Sequence, residues 1–241
     1  MCRTAWRLTC CRICYSSNLP HCFTSRGYLR VKKLLALLGC GLIVFSFQVH
    51  AHPHAWIDVQ SNIVLSEDGQ IQAIEQEWLF DDLYSAAILD GIAEDYEDTE
   101  QALQQYATDV IHNLEPYSYF IRLVINDQRA VFGTITQFSI DKRGTQLLLS
   151  FSAPLAQPVD PRQNTVSFSV YDPTYYIHMT HPAESPPTLI PNQGLPCRAY
   201  ITQPTPSAED FSRAFALDKS DTVDDDLGHL FAEKVHIQCP N

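Results

Sequence analysis

The chain has 241 residues, with 16 Lys and Arg against 28 Asp and Glu, for a formal charge of −12. All seven cations of residues 1–51 sit there without a single acid, so the remaining 190 residues carry nine cations, 28 acids and a charge of −19. So acidic a body excludes nucleic acid and anionic membrane surfaces as general partners, and its length suits one domain with one core.

Residues 1–30 hold five cysteines, no acid and no periodicity. A Cys11-x-x-Cys14 pair there lacks further cysteines or histidines at zinc-ligand spacing. Our reading is that translation starts later, near Val31. Lys32 and Lys33, the apolar run Leu34–Phe47 and Val49-His50-Ala51 then have the layout of a secretory signal peptide. The run is shorter than the ~20 apolar residues a spanning helix needs. Lipid attachment at Cys40 is the competing reading. The expected organisation is therefore residues 1–51 as leader and signal peptide and 52–241 as a single exported domain, with no membrane span after cleavage.

Alternation of Ala55, Ile57 and Val59 with Trp56, Asp58 and Gln60 predicts a first strand. Asp68-Gly69 predicts a turn, and residues 71–80 a second strand completing a hairpin. Asp81 or Asp82 is a candidate N-cap for a helix stopping at Gly91. A second helix is predicted from Thr99 to Pro116, with Leu103, Tyr106, Ala107, Val110, Ile111 and Leu114 on one apolar face. After Pro116, four β-branched and aromatic segments separated by turn residues predict an antiparallel meander. A proline-rich stretch follows from Pro182 to Pro206, then a short helix near residues 207–217, and a closing helix and strand over 224–239. The predicted fold class is α+β, predominantly antiparallel sheet with two to three helices packed on one side.

Only Cys197 and Cys239 remain beyond the leader. In an oxidising compartment they most simply form one disulfide, and bridging 42 positions stabilises by roughly 3–4 kcal/mol on the chain-entropy account.

The candidate chemistry begins at His52, the first residue if cleavage follows Ala51. A terminal His chelates through its amine and ring, and His54 points to the same side of an extended strand. Asp58 shares that side but lies about 13 Å further along, so it supports rather than joins the pair. Pro53 has no N–H, which removes the chelate built on deprotonated backbone amides and leaves a brace of amine and two imidazoles. Nitrogen ligands suit Zn, Ni, Co or Cu. The competing reading is a strand with solvated histidines. His178 and His181 form an H-x-x-H pair that strand geometry sets on opposite faces, unless the turn at Pro182 reunites them. Glu75, Glu77, Asp81 and Asp82 form an acidic group that can serve metal or acid–base chemistry, or simply wet a strand. No G-x-S-x-G or H-E-x-x-H motif occurs, and the expectation is that the protein is not an enzyme.

Three segments in order, HPHAWID (His52–Asp58), WLFDDLYS (Trp78–Ser85) and YDPTYY (Tyr171–Tyr176), resemble the bacterial domain-of-unknown-function family 1007, as does the late LGHLFAEKVHIQC (Leu227–Cys239). Its members are often labelled as the periplasmic component of an uncharacterised ABC-type transport system, and some are similar to regions fused or adjacent to nickel/cobalt-type efflux permeases. The resemblance implies a periplasmic partner of a transition-metal permease. It also implicates His52, His54, Trp56, Asp58, Phe80, Asp81, Tyr84, Ser85, Tyr171, Asp172, Pro173, Tyr175 and Tyr176. Many relatives carry a D-x-N-x-D-G insertion after the first helix. The corresponding stretch from Asp90 to Leu103 lacks it, so calcium binding does not carry over. Asp172 reads either as support for a metal histidine or as a turn residue before Pro173. The expected function is a periplasmic transition-metal-binding or delivery component of a metal transporter, with Asp81, Asp172, His178 and His181 as possible additional ligands. The alternative is a non-metal interaction or assembly module for a membrane permease.

Overall fold

The structure, a computed structural model, describes residues 53–95, 99–191, 196–216 and 227–240. Compactness divides the chain into Met1–Val49 and His50–Asn241, and everything below concerns the second unit. The expected leader and signal peptide, and His52 itself, lie outside the described residues.

The expected hairpin forms. β1 (Ala55–Leu65) pairs antiparallel with β2 (Ile71–Phe80), from Ile57 opposite Phe80 to Leu65 opposite Ile71. Its turn is closed by Gly69 N–H to Ser66 C=O at 2.9 Å and Gln70 N–H to Ser66 Oγ at 3.0 Å. Gly69 has φ 79°, a left-handed conformation that glycine adopts without steric cost. Helix α1 (Asp82–Asp95) follows directly and runs on through Gly91 instead of stopping there. A helical glycine costs only about 1 kcal/mol relative to alanine, and here no neighbouring atom crowds the position. Helix α2 (Thr99–Leu114) buries Ala102, Leu103, Ala107, Ile111 and Leu114 and packs on α1. Tyr106 and Val110 of its predicted face are partly buried against the same core.

A 3₁₀ turn (Glu115–Phe120) ends with Ser118, Tyr119 and Phe120 all left-handed, at φ 55°, 57° and 57°. Such a conformation costs about 1–2 kcal/mol per residue, offset here by burial of Tyr119 and by the Tyr171 N–H donated to Phe120 C=O at 2.9 Å.

The segments after Pro116 do form strands, but they are shared between two sheets rather than joined in one meander. They are β3 (Ile121–Ile125), β4 (Gln128–Arg129), β5 (Phe138–Arg143), β6 (Gln146–Val159) and β7 (Val166–Val170). The proline-rich stretch holds more structure than its composition announces. Short strands β8 (Ile177–Thr180), β9 (Thr188–Ile190) and β10 (Arg198–Thr202) precede and punctuate it, followed by helix α3 (Ala208–Ala216), a 3₁₀ turn (Leu227–Phe231) and β11 (Lys234–Gln238). The first sheet has the order β5-β6-β2-β1-β8, with β9 also paired to β1, and the second has the order β10-β11-β7-β3-β4. Every pairing is antiparallel except those of β8 and β9 with β1. One apolar cluster draws Ile57, Val59 and Trp78 from the first sheet, Leu123, Phe168 and Val235 from the second, and Leu103 and Ile111 from α2. The fold is α+β with antiparallel sheet predominating, as expected. Among the described residues no helix is long and apolar enough to cross a membrane.

Candidate functional site

The motif segments, nearly 120 residues apart along the chain, meet at one end of the first sheet. His54 N–H donates to Tyr176 C=O at 2.9 Å, after which β1 and β8 run parallel with Ala55 beside Ile177 and Trp56 beside His178. The exposed His54 ring lies 4.7 Å from the Tyr176 ring, tilted by 37°.

Asp81 holds the second motif to the first. Its Oδ2 accepts the Trp56 N–H at 2.8 Å, and its own N–H donates to Trp56 C=O at 3.0 Å. Its Oδ1 accepts the Tyr84 N–H at 2.8 Å, the N-cap bond that satisfies an otherwise orphaned donor of α1. Asp81 is thus the cap and also a bracket across the hairpin. Its neighbour Asp82 accepts a hydrogen bond from the Thr145 hydroxyl. Ser85 is fully buried and ties α1 to β6, since its Oγ accepts the Leu147 N–H at 3.0 Å and donates to Phe80 C=O at 3.4 Å.

The third motif is a turn built on Asp172. Its Oδ1 accepts the Thr174 N–H at 2.9 Å and the Thr174 hydroxyl at 2.8 Å, and its Oδ2 accepts the Ile177 N–H at 3.0 Å. Of the two readings open from sequence, the turn is the one the geometry supports. Gly228 N–H donates to Pro173 C=O at 3.0 Å, and a Cβ at Gly228 would fall 1.9 Å from Asp172 C=O. The family-like C-terminal segment therefore lies directly on the third motif, and Tyr175 stacks on Phe231 there at 4.0 Å.

Within electrostatic reach of Tyr176 lies a second phenol, Tyr84. Tyr84 of α1 shares a hydrogen bond with Tyr106 of α2. Burial pushes both phenols above their ordinary pKa, and Tyr176, Asp172 and Asp81 add to the effect at Tyr84. By sequence pattern Tyr106 belongs simply to the apolar face of α2. Its hydroxyl was the available clue, because a buried phenol needs a partner.

Asp58 lies elsewhere, lining a cleft of about 390 Å³ with Gln60, Glu77, Arg143, Glu184 and Ser185 on the open face of the first sheet. Glu75 and Glu77 occupy that solvent face too. His178 is half-buried, with burial lowering its pKa against the opposing pull of Glu233, and its ring sits 5.8 Å from Tyr175.

His181 is buried, and both ring nitrogens are engaged: Nε2 with Ser61 Oγ at 2.9 Å, Nδ1 with Glu233 Oε2 at 2.8 Å. The chain extends at each end. Gln76 Nε2 donates to Ser61 Oγ at 2.9 Å, Trp78 Nε1 to Gln76 Oε1 at 3.1 Å, and Gln203 Nε2 to Glu233 Oε1 at 2.8 Å. Its Ser-His-Glu order is that of a hydrolytic triad. However, Ser61 is 0 % exposed and its oxygen already accepts from Gln76, so the chain works as a satisfied polar tie between the two sheets. Among the described residues no group of three His, Cys, Asp or Glu side chains is arranged to hold a metal ion.

The sequence profile of the family described as "Protein of unknown function (DUF1007)" matches residues 37–239. The chain belongs to the DUF1007 family. The match takes in every described segment of the convergence, from His54 to the Gly228 contact. This DUF1007 protein is also similar to an uncharacterized protein of Haemophilus influenzae, 33% identical over 215 residues, covering 87% of this chain and 100% of that one.

Proposed function

We propose that this DUF1007 protein is an exported, non-enzymatic component of the periplasm that binds a transition-metal ion as cargo and passes it to a membrane permease. The ion is Zn, Ni, Co or Cu, held by His52, His54 and the amine exposed by cleavage after Ala51. The observation that carries this reading is the placement of His54: its backbone is fixed by Tyr176, and its ring is exposed where the motif segments converge. Asp58, in its separate cleft, contributes negative charge rather than a bond to the metal.

The test is calorimetric titration of the purified exported protein with each ion, after N-terminal sequencing. Tight uptake weakened at least tenfold by His54→Ala and by His52→Ala is the expected result. Absence of uptake, or uptake indifferent to both substitutions, overturns it.

The second reading, an assembly module docking on a permease, draws support from Trp56 and Leu83, which are 49% and 77% exposed on either side of Asp81. Under that reading Trp56→Ala and Leu83→Ala abolish cross-linking to the permease, while metal titrations stay flat for every variant.

A further inference from the structure

The bridge between β8 and β9 builds one wall of the cleft on the open face of the first sheet. β8 leaves β1 at Thr180, beside Asp58, and β9 rejoins it at Thr188, beside Asn62. Residues 181–187 span the gap. His181 roots them inward through Ser61 and Glu233, and Ser185 N–H closes a turn on Pro182 C=O at 2.9 Å. The turn brings Pro182, Glu184 and Ser185 to the edge of a cleft of about 390 Å³. That volume falls within the range of small-molecule sites.

Register supplies the floor and the far wall. Ile57, Val59, Trp78 and Phe80 fill the core, so strand alternation turns Asp58, Gln60, Glu77 and Leu79 to the open face. Asp58 stands opposite Leu79 and Gln60 opposite Glu77. Asp58 and Glu77 are therefore diagonal neighbours, roughly 7–8 Å apart in the backbone. Leu148 of β6 lies beside Leu79, and Arg143 comes from β5, on the other side of β6 from β2. Arg143 lines the same cleft and closes it opposite the 182–185 turn.

These charges are not spent on one another. Asp58, Glu77, Glu184 and Arg143 are all exposed, and among the described residues none of them has an ion pair or a side-chain hydrogen bond. The other acids near Arg143 are engaged elsewhere: Asp141 accepts from the Ser139 hydroxyl at 3.3 Å, and Asp82 accepts from the Thr145 hydroxyl. Three carboxylates against one guanidinium favour an occupant of net positive charge. An unpaired guanidinium facing them favours one that also carries a carboxylate. The diagonal spacing of Asp58 and Glu77 suits separate amines on one molecule.

We propose that this cleft binds a basic amino acid. Its carboxylate takes the planar, forked donor pair of Arg143, and its two cationic groups go to Asp58, Glu77 and Glu184. Its aliphatic stem lies along Leu79, Leu148 and Pro182, as the stem of a long cationic side chain covers apolar surface. The His181 tie holds the 182–185 wall in place before binding, which lowers the ordering cost. None of these side chains bonds the metal in the reading above, so either proposal can fail without the other.

Calorimetric titration of the purified exported protein with L-lysine tests it, in 0.1 M salt, where attraction from exposed charges beyond about 10 Å is largely screened. Saturable binding is expected. Norleucine, which lacks the side-chain amine, and cadaverine, which lacks the carboxylate, should each bind at least tenfold more weakly. Glu77→Gln and Arg143→Gln should each weaken lysine binding at least tenfold, and as substitutions of exposed side chains they keep the fold. Asp109→Asn, which removes an exposed acid of α2 outside the cleft, should leave binding unchanged. Three results overturn the proposal: no saturable binding of lysine, an analogue that binds as well as lysine, or binding that the cleft variants weaken no more than Asp109→Asn does.

Discussion

His181 shows how a residue with ligand chemistry can be claimed by the core. Its partners Ser61 and Glu233 lie 120 and 52 positions away, and no local pattern announces them. From sequence, an H-x-x-H spacing was legible and a buried Ser-His-Glu chain was not. The acidity of Glu233 reflects the same contacts. Burial alone would raise its pKa, but hydrogen bonds from His181 and Gln203 outweigh burial and hold the carboxyl below its ordinary value of 4.5. A carboxylate depressed in the folded state contributes stability above its unfolded pKa, and that contribution is lost as pH falls through the folded value. Glu233→Gln keeps the shape and removes the charge. It should cost about 1.5–3 kcal/mol at neutral pH, the range for a hydrogen bond to a charged group. The gap between wild type and variant should narrow from pH 7 to pH 3 in urea melts. A gap that stays constant over that range would falsify the assignment.

Between elements, the most legible features were those with local causes. The Asp68-Gly69 turn, the apolar face of α2 and the cap at the start of α1 all follow from neighbours within a few positions. The two-sheet arrangement did not, because β5 and β6 read identically to β3 and β7 as isolated segments, and only long-range pairing sorts them. The site was half legible for the same reason. The motifs pointed to His54, Asp81 and Asp172, but the backbone-holding role of the two aspartates is set by contacts such as Trp56 to Asp81, 25 residues apart. Asp81→Ala should remove the cap, worth about 0.5–2 kcal/mol, and release the β1 tether as well. Its loss of stability should therefore exceed that of the exposed substitution Asp90→Ala when both are measured by thermal denaturation. Equal, negligible losses would mean the bracket contributes nothing. Gly228→Ala is the sharper case, because the added methyl meets backbone rather than a yielding side chain. Overpacking of this kind costs about 1–3 kcal/mol or more.

For the molecule as a whole, the disulfide is where sequence arithmetic and topology agree. The structure joins Cys197 to Cys239. β10 and β11 pair with Arg198 opposite Gln238, so the bridge closes the ladder one residue beyond its last pair. Among the described residues β10 is an edge strand paired with β11 alone, and β11 leads back through Glu233 to the polar tie between the sheets. The bridge therefore anchors the edge of the second sheet. Breaking it should cost about 3–4 kcal/mol by relaxing a 42-residue loop in the unfolded chain, and the loss should be uneven in the native state. Hydrogen exchange under reducing conditions should find the amides of Ala199 and Ile201 unprotected first. Those of Ile74, Gln76 and Trp78, central in the first sheet, should keep their protection until global unfolding. Simultaneous loss of protection in both sheets would show that the edge and the core unfold as one unit, and that the bridge holds the entire fold rather than its margin.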